Sequence, residues 1–228
     1  MEKKQYDLCF EILRRFHSAG ILNNFILIGS WCVYFYKDYF YGVAGSDHLA
    51  LRTRDIDFLI ENPKKIIQKV DLPDLLKDLG FVIDFKGERG YMKLDHPDLI
   101  LEFLVPEKGR GDNGPRKIPA LGINATALRF LELLSNNVIK VKTDGLILTM
   151  PHPANFALHK LIVAQRRVKK EKSIKDMEAA VKVLRMLIEK GEKDIITKTF
   201  TLISPKWQKK IIEVLVANDQ VDLAAILK

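Results

Sequence analysis

Two aspartates stand one residue apart in Arg54-Asp55-Ile56-Asp57-Phe58-Leu59-Ile60. In an extended strand, residues i and i+2 point to the same face, about 6.8 Å apart along it. Ile56 and Phe58 then point the other way, into a core. Two carboxylates side by side repel each other, and aspartate is a poor strand former. A divalent cation between them removes the repulsion. Magnesium takes oxygen ligands from one or two carboxylates, while phosphates and water complete its octahedron. The plain structural reading of the same pattern is an exposed edge strand, or pairing with Arg52 and Arg54.

Two further features fit the first reading. Phe25-Ile26-Leu27-Ile28 is a continuous apolar run that ends at Gly29, followed by Ser30 and an aromatic-rich stretch with helical character. A glycine at such a bend lets a ligand approach the backbone closely. The first N–H groups of the following helix favour an anion, and the serine hydroxyl can cap the helix or donate to a phosphate oxygen. Taken alone, this is a turn and a cap. Glu102 is the only charge in Leu99-Ile100-Leu101-Glu102-Phe103-Leu104-Val105. A glutamate in an apolar strand needs a partner, either a metal, a hydrogen-bond donor or a cation such as Lys93 or an arginine. A strand over residues 99–105 lying beside one over 55–60 would place Glu102 on the face of the two aspartates.

The elements that must position these residues alternate in the first half of the chain. Apolar spacing gives a helix over residues 6–18, a buried strand over 25–28, a helix over 31–40 and a strand over 55–60. Asn62-Pro63 opens a helix that runs to about residue 79 with a break at Pro73. Three strands follow at 81–85, 91–94 and 99–105. Residues 106–119 hold three glycines and three prolines and read as a functional loop or a boundary. A hairpin is expected at 138–142 and 146–150, turning on Thr143-Asp144-Gly145. Beyond that the pattern is helical, at 153–168, 174–190 and 207–216. This is an α+β chain: a mixed sheet with flanking helices over 1–120, then a mainly helical C-terminal domain over 121–228 with a possible small hairpin.

Composition narrows the classes. The 228 residues are 47% hydrophobic and 29% charged, an ordinary globular balance. The longest apolar runs fall far short of the roughly 20 residues that span a bilayer. The N-terminus is charged and amphipathic, unlike a signal peptide. Cys9 and Cys32 sit in apolar helical pattern and read as buried free thiols, so a reducing, cytoplasmic location is the default. A net charge of +8 adds a mild preference for anions. The five histidines show no ligand spacing, and His152 and His159 read as packing or capping residues around a helix start. The aromatic cluster Phe35, Tyr36, Tyr39, Phe40 and Tyr41 reads as a helix flank packed on the sheet. No Walker A loop, Gly-x-Gly-x-x-Gly or Gly-x-Ser-x-Gly pattern occurs.

In this combination the chain resembles the nucleotidyltransferase superfamily that includes DNA polymerase beta and the bacterial antibiotic nucleotidyltransferases. The matching residues are Ile28-Gly29-Ser30, Asp55-Ile56-Asp57 and Glu102, within residues 20–105. Two features differ from the common pattern. Gly29 and Asp55 are 26 positions apart, so residues 41–54 read as an insertion, and the third carboxylate is Glu rather than Asp. The second half looks like the helical domain of two-domain members, whose basic residues help to hold the triphosphate. Lys160, Arg166, Arg167 and Lys175, with Asp176, lie on expected helices there; their plain reading is a solvated basic face.

The resemblance implies transfer of a nucleoside monophosphate from an NTP to a hydroxyl of an acceptor (small molecule, protein or RNA). Mg²⁺ or Mn²⁺ would be held by Asp55, Asp57 and Glu102. Glu102 could serve as general base. The Gly29 amide and the Ser30 hydroxyl would grip a phosphate, and Lys160 or Arg166 would reach the same group. Two alternatives stay open: a non-catalytic nucleotide- or nucleic-acid-binding module on the same fold, and a toxin-like partner of an antitoxin protein. Three acids speak against a surface that only grips phosphates.

Overall fold

The computed structural model describes residues 2–44, 53–107 and 114–228, which pack as two compact units. The first unit takes the described residues up to Phe35 and those from 53 to Pro151; the second takes the described residues from 36 to 44 and His152–Lys228. A division was expected near residue 120. The contacts divide the chain after Pro151 instead, because the C-terminal strand of the expected hairpin lies against the first strand of the sheet.

The first unit is built on seven strands: β1 (Ile26–Ile28), β2 (Asp55–Leu59), β3 (Val82–Lys86), β4 (Tyr91–Asp95), β5 (Ile100–Pro106), β6 (Pro115–Ile118) and β7 (Ile123–Leu128). The order across the sheet is β1-β2-β5-β4-β3. β2 and β5 run parallel, while β1, β4 and β3 pair antiparallel with their neighbours. β7 pairs with the second half of β5, and β6 pairs with β7. A separate hairpin joins β8 (Val138–Thr143) to β9 (Leu146–Pro151). Its turn puts Asp144 and Gly145 at φ of 48° and 75°, the left-handed pair that a two-residue hairpin loop needs.

One face of the sheet is covered by α1 (Glu2–Ser18). Phe16 from that helix meets Phe25 and Phe58, and Phe58 stacks on Phe103, with ring centroids 5.1–5.9 Å apart. All four rings are buried, and each contributes about 2–3 kcal/mol of apolar burial. The other face is divided along its length. Toward the C-terminal ends of β2 and β5 it is apolar, where Ile26, Ile28, Leu59 and Leu104 pack with Leu131 and Leu134 around α4 (Glu132–Ser135). Toward the N-terminal ends of the same strands the acids emerge.

α2 (Trp31–Tyr39) follows β1, and its residues 31–35 belong to the first unit. Phe35, Tyr36 and Phe40 are buried, but not as a flank on the sheet: Phe35 meets Phe10 and Trp31, Tyr36 meets Phe156 of the helical unit, and Tyr41 is 91% exposed. The helix expected over 63–79 is replaced by a single turn at Pro63–Lys65, extended chain, and α3 (Leu72–Leu76). The Asp71 side chain accepts from the Asp74 N–H at 3.0 Å and Pro73 occupies the first turn, so the sequence starts a new helix at 72.

The second unit is helical: α5 (Pro153–Ala164), α6 (Lys170–Glu189), α7 (Lys193–Thr201), α8 (Pro205–Ala217) and α9 (Val221–Ile226). Among the described residues, no helix is long and apolar enough to cross a membrane.

Candidate nucleotide and metal site

β1 ends at Ile28, and the chain turns at Gly29 with φ of +73°. The Cys32 and Val33 amides donate to the Gly29 and Ser30 carbonyls at 3.2 and 3.1 Å, closing the first turn of α2. A positive φ suits glycine, but the space there is the more demanding constraint. A Cβ on Gly29 would lie 2.0 Å from Oδ2 of Asp57 and 3.0 Å from its Cγ. The Asp57 carboxylate therefore sits directly against the glycine backbone, in room that any side chain at position 29 would fill.

Strand registers place the other acids. Asp57 lies opposite Ile28 on one side and Glu102 on the other; Glu102 lies opposite Lys93, and Lys93 opposite Asp84. Residues paired across a sheet share a face. A polar row, Asp57-Glu102-Lys93-Asp84, thus runs across four strands. Asp55 is on the same face, two residues before Asp57, and its row continues through Ile100 to Asp95. Asp55, Asp57 and Glu102 are all partly exposed, while Ile56, Phe58, Leu101 and Phe103 are buried beneath them. The Thr53 hydroxyl accepts from the Asp55 amide at 3.1 Å and fixes the start of β2.

The cations distribute themselves specifically. Lys93 donates to Glu102 in a hydrogen-bonded ion pair whose side chains are 25% and 24% exposed. Arg54 reaches the His96 carbonyl at 2.6 Å and Asp95 at 3.5 Å, on the β4 side. Arg52 and most of the expected 41–54 insertion lie outside the described residues. Among the described residues, no three of His, Cys, Asp and Glu are gathered closely enough to hold a metal ion between them. The structure thus brings all three acids to one sheet face beside the Gly29 bend, with Glu102 turned to Lys93. Asp55 and Asp57, at alternate positions of one strand, keep the donor chemistry of a two-carboxylate site for a hard cation.

Lys160 and Arg166 belong to the second unit. Lys160 is buried on α5 and donates to Oδ1 of Asp176 on α6 at 2.5 Å, while Arg167 donates to Oδ2 at 2.8 Å. Burial pushes the Asp176 carboxyl up, but the two cations outweigh it and hold it below its usual range. Next to Lys160, burial and that lysine's charge push the His159 imidazole down to about 3. Arg166 is exposed beyond the end of α5. The 16 positions from Lys160 to Asp176 carry no pairing signal, since the contact is made between two helices.

Sequence reasoning did not find the Tyr39-His152-Glu192 chain. Nδ1 of His152 accepts from the Ala154 amide at 3.2 Å, capping α5, so neutral His152 carries its proton on Nε2. That atom donates to the Tyr39 hydroxyl at 2.9 Å, which donates to Glu192 at 2.5 Å. Burial pushes His152 down and Tyr39 up. Only the capping role of His152 could be read from the His-Pro pair at a helix start. Cys9 and Cys32 are buried and outside any disulfide, and the Cys32 thiol donates to the Leu27 carbonyl at 3.2 Å.

Of two similar solved structures, the first shares this fold. An antigenic nucleotidyltransferase-like protein from Paracoccidioides brasiliensis is 14% identical, with 99% of this chain and 92% of that one covered at a TM-score of 0.50. ANT(2")-Ia in complex with adenylyl-2"-tobramycin is 13% identical, with 82% and 95% covered at a TM-score of 0.46. No curated protein sequence matches the chain. A family model described as Nucleotidyltransferase matches residues 8–200, which takes in the Gly29 bend, the three acids and the Lys160-Asp176 pair. On that match, the chain belongs to the nucleotidyltransferase family.

Proposed function

We propose that this chain moves a nucleoside monophosphate from an NTP to a hydroxyl of an acceptor, using Mg²⁺ or Mn²⁺ at Asp55 and Asp57. The observation that carries the reading is the seat of the Asp57 carboxylate against Gly29. It puts an acid beside the backbone amides of a strand-to-helix bend, where a phosphate fits. In the reaction, the acceptor oxygen bonds to the α-phosphorus, the bond from that phosphorus to the bridging oxygen breaks, and pyrophosphate leaves. A divalent cation held by Asp55 and Asp57 would supply charge neutralisation for the triphosphate and would lower the pKa of the acceptor hydroxyl.

The chain's own residues mainly supply position and charge. The Gly29 amide and the Ser30 hydroxyl donate to a phosphate oxygen. Lys160 and Arg166, the cations expected to reach the triphosphate, belong to the second unit, where Lys160 is bonded to Asp176. Glu102 takes the hydroxyl proton, and in doing so exchanges its contact with Lys93 for one with the acceptor or the cation. Replacing Asp57 with alanine should cut transfer of label from α-labelled NTP at least about 100-fold while circular dichroism stays unchanged. Label transfer at the native rate in Asp57→Ala rejects this assignment. Binding without any label transfer in the native protein points instead to a module that holds nucleotides without chemistry.

A further inference from the structure

β3 ends the sheet, and β4 is its only strand partner among the described residues. The strand reads Val82-Ile83-Asp84-Phe85-Lys86, and its apolar residues are unusually open: Val82 is 63% exposed, Ile83 48% and Phe85 61%. An edge strand with a free row of N–H and C=O groups and exposed apolar side chains is a template for another strand. The opposite end of the sheet is not open in this way, because β1 is buried and β9 lies against it.

We infer that β3 pairs antiparallel with β3 of a second copy of this chain, about a twofold axis through Phe85. The charges select that occupant and that register. Centred on Phe85, the pairing sets Asp84 opposite Lys86 of the partner copy and Lys86 opposite its Asp84. Within one chain these two side chains already form an ion pair on one face of the strand. On the other face, Phe85 meets its own symmetry mate, with Ile83 of each copy diagonal to it. Centring on Asp84 instead would set two aspartates face to face, which destabilises a cross-strand pair. The arrangement is closed: once the two β3 edges meet, neither remains to recruit a third chain. A five-residue edge falls in the weak class of interface, so association depends on concentration. This inference is independent of the proposed chemistry.

Sedimentation equilibrium over a concentration series tests it. The native protein should pass from the mass of one chain to that of two. Phe85→Thr, which keeps a good strand former, should weaken the association. Asp84→Lys and Lys86→Asp should each weaken it about tenfold, and the double variant, which restores opposite charges across the axis, should recover it. Circular dichroism and a thermal melt of each variant check the fold, because Lys at 84 also faces Lys93 of its own chain. A single-chain mass at every concentration overturns the inference. Native-strength association in Phe85→Thr, or a double variant that folds but stays as weak as the single ones, overturns it too.

Discussion

Gly29 is constrained twice, by a φ of +73° and by the Asp57 carboxylate that fills the place of a Cβ. The two constraints have separable costs. Placing alanine in the left-handed region costs about 1 kcal/mol, as at any ordinary turn. The steric conflict is larger and local: a methyl 2.0 Å from Oδ2 forces Asp57 to move. Gly29→Ala should therefore lower thermal stability modestly yet abolish metal-dependent nucleotide transfer. Native turnover in a folded Gly29→Ala protein would show that the seat of Asp57 is irrelevant to the chemistry. Glu102 illustrates the complementary case. Its isolation in an apolar strand identified it as a group in need of a partner, and the structure supplies Lys93, one of the partners its chemistry allows. The residue type was readable; which cation would answer it depends on the β4–β5 register, which no local pattern encodes.

At the scale of elements, α3 depends on a cap that sequence and structure both display. Asp71 accepts from the Asp74 amide at 3.0 Å, so Asp71→Ala should cost about 1 kcal/mol in urea denaturation. An unchanged midpoint would mean that packing of Leu72 and Leu76 alone holds the turn. The same cap accounts for the break expected at Pro73 and for the missing helix before it: Pro63 opens only a single turn, Pro73 opens a new helix, and the chain between them is tied elsewhere, with the Val70 amide bonded to the Ala120 carbonyl at 2.8 Å. β1, β2, β4 and β5 were legible because a buried strand beside polar turns leaves a short apolar or alternating run. β6 and β7 were not. β6 begins with Pro115 and carries two cations, and β7 alternates through small residues, Ile123, Ala125 and Ala127 pointing inward, too weakly apolar to stand out. α7 and α9 are short, and their amphipathic stretches pass for loop.

For the whole molecule, the buried ionisable groups of the second unit set how stability answers to acid. His159 is held neutral, with its pKa pushed down to about 3, against an ordinary value of 6.5. As pH falls through 6.5, the unfolded chain takes up a proton that the folded chain refuses, so stability declines toward pH 3 by up to about 1.4 kcal/mol per pH unit. His152, lowered chiefly by burial, acts in the same direction. Asp176 adds its loss at lower pH, as it protonates below its ordinary 3.8 and releases Lys160 and Arg167. His159→Leu should flatten the dependence of melting temperature on pH between 6.5 and 4; a slope equal to that of the native protein would contradict this account of its burial. The +8 charge adds only a general affinity for anions, so the proposed affinity for an NTP would rest on the sheet face that carries Asp55 and Asp57 beside the Gly29 bend. Calorimetric titration with a non-hydrolysable NTP, with and without Mg²⁺, measures this most directly. Mg²⁺ should strengthen binding to the native protein, and Asp57→Asn should lose this gain while remaining folded; an equal gain in both proteins, or none in the native one, would contradict a cation seat at Asp57.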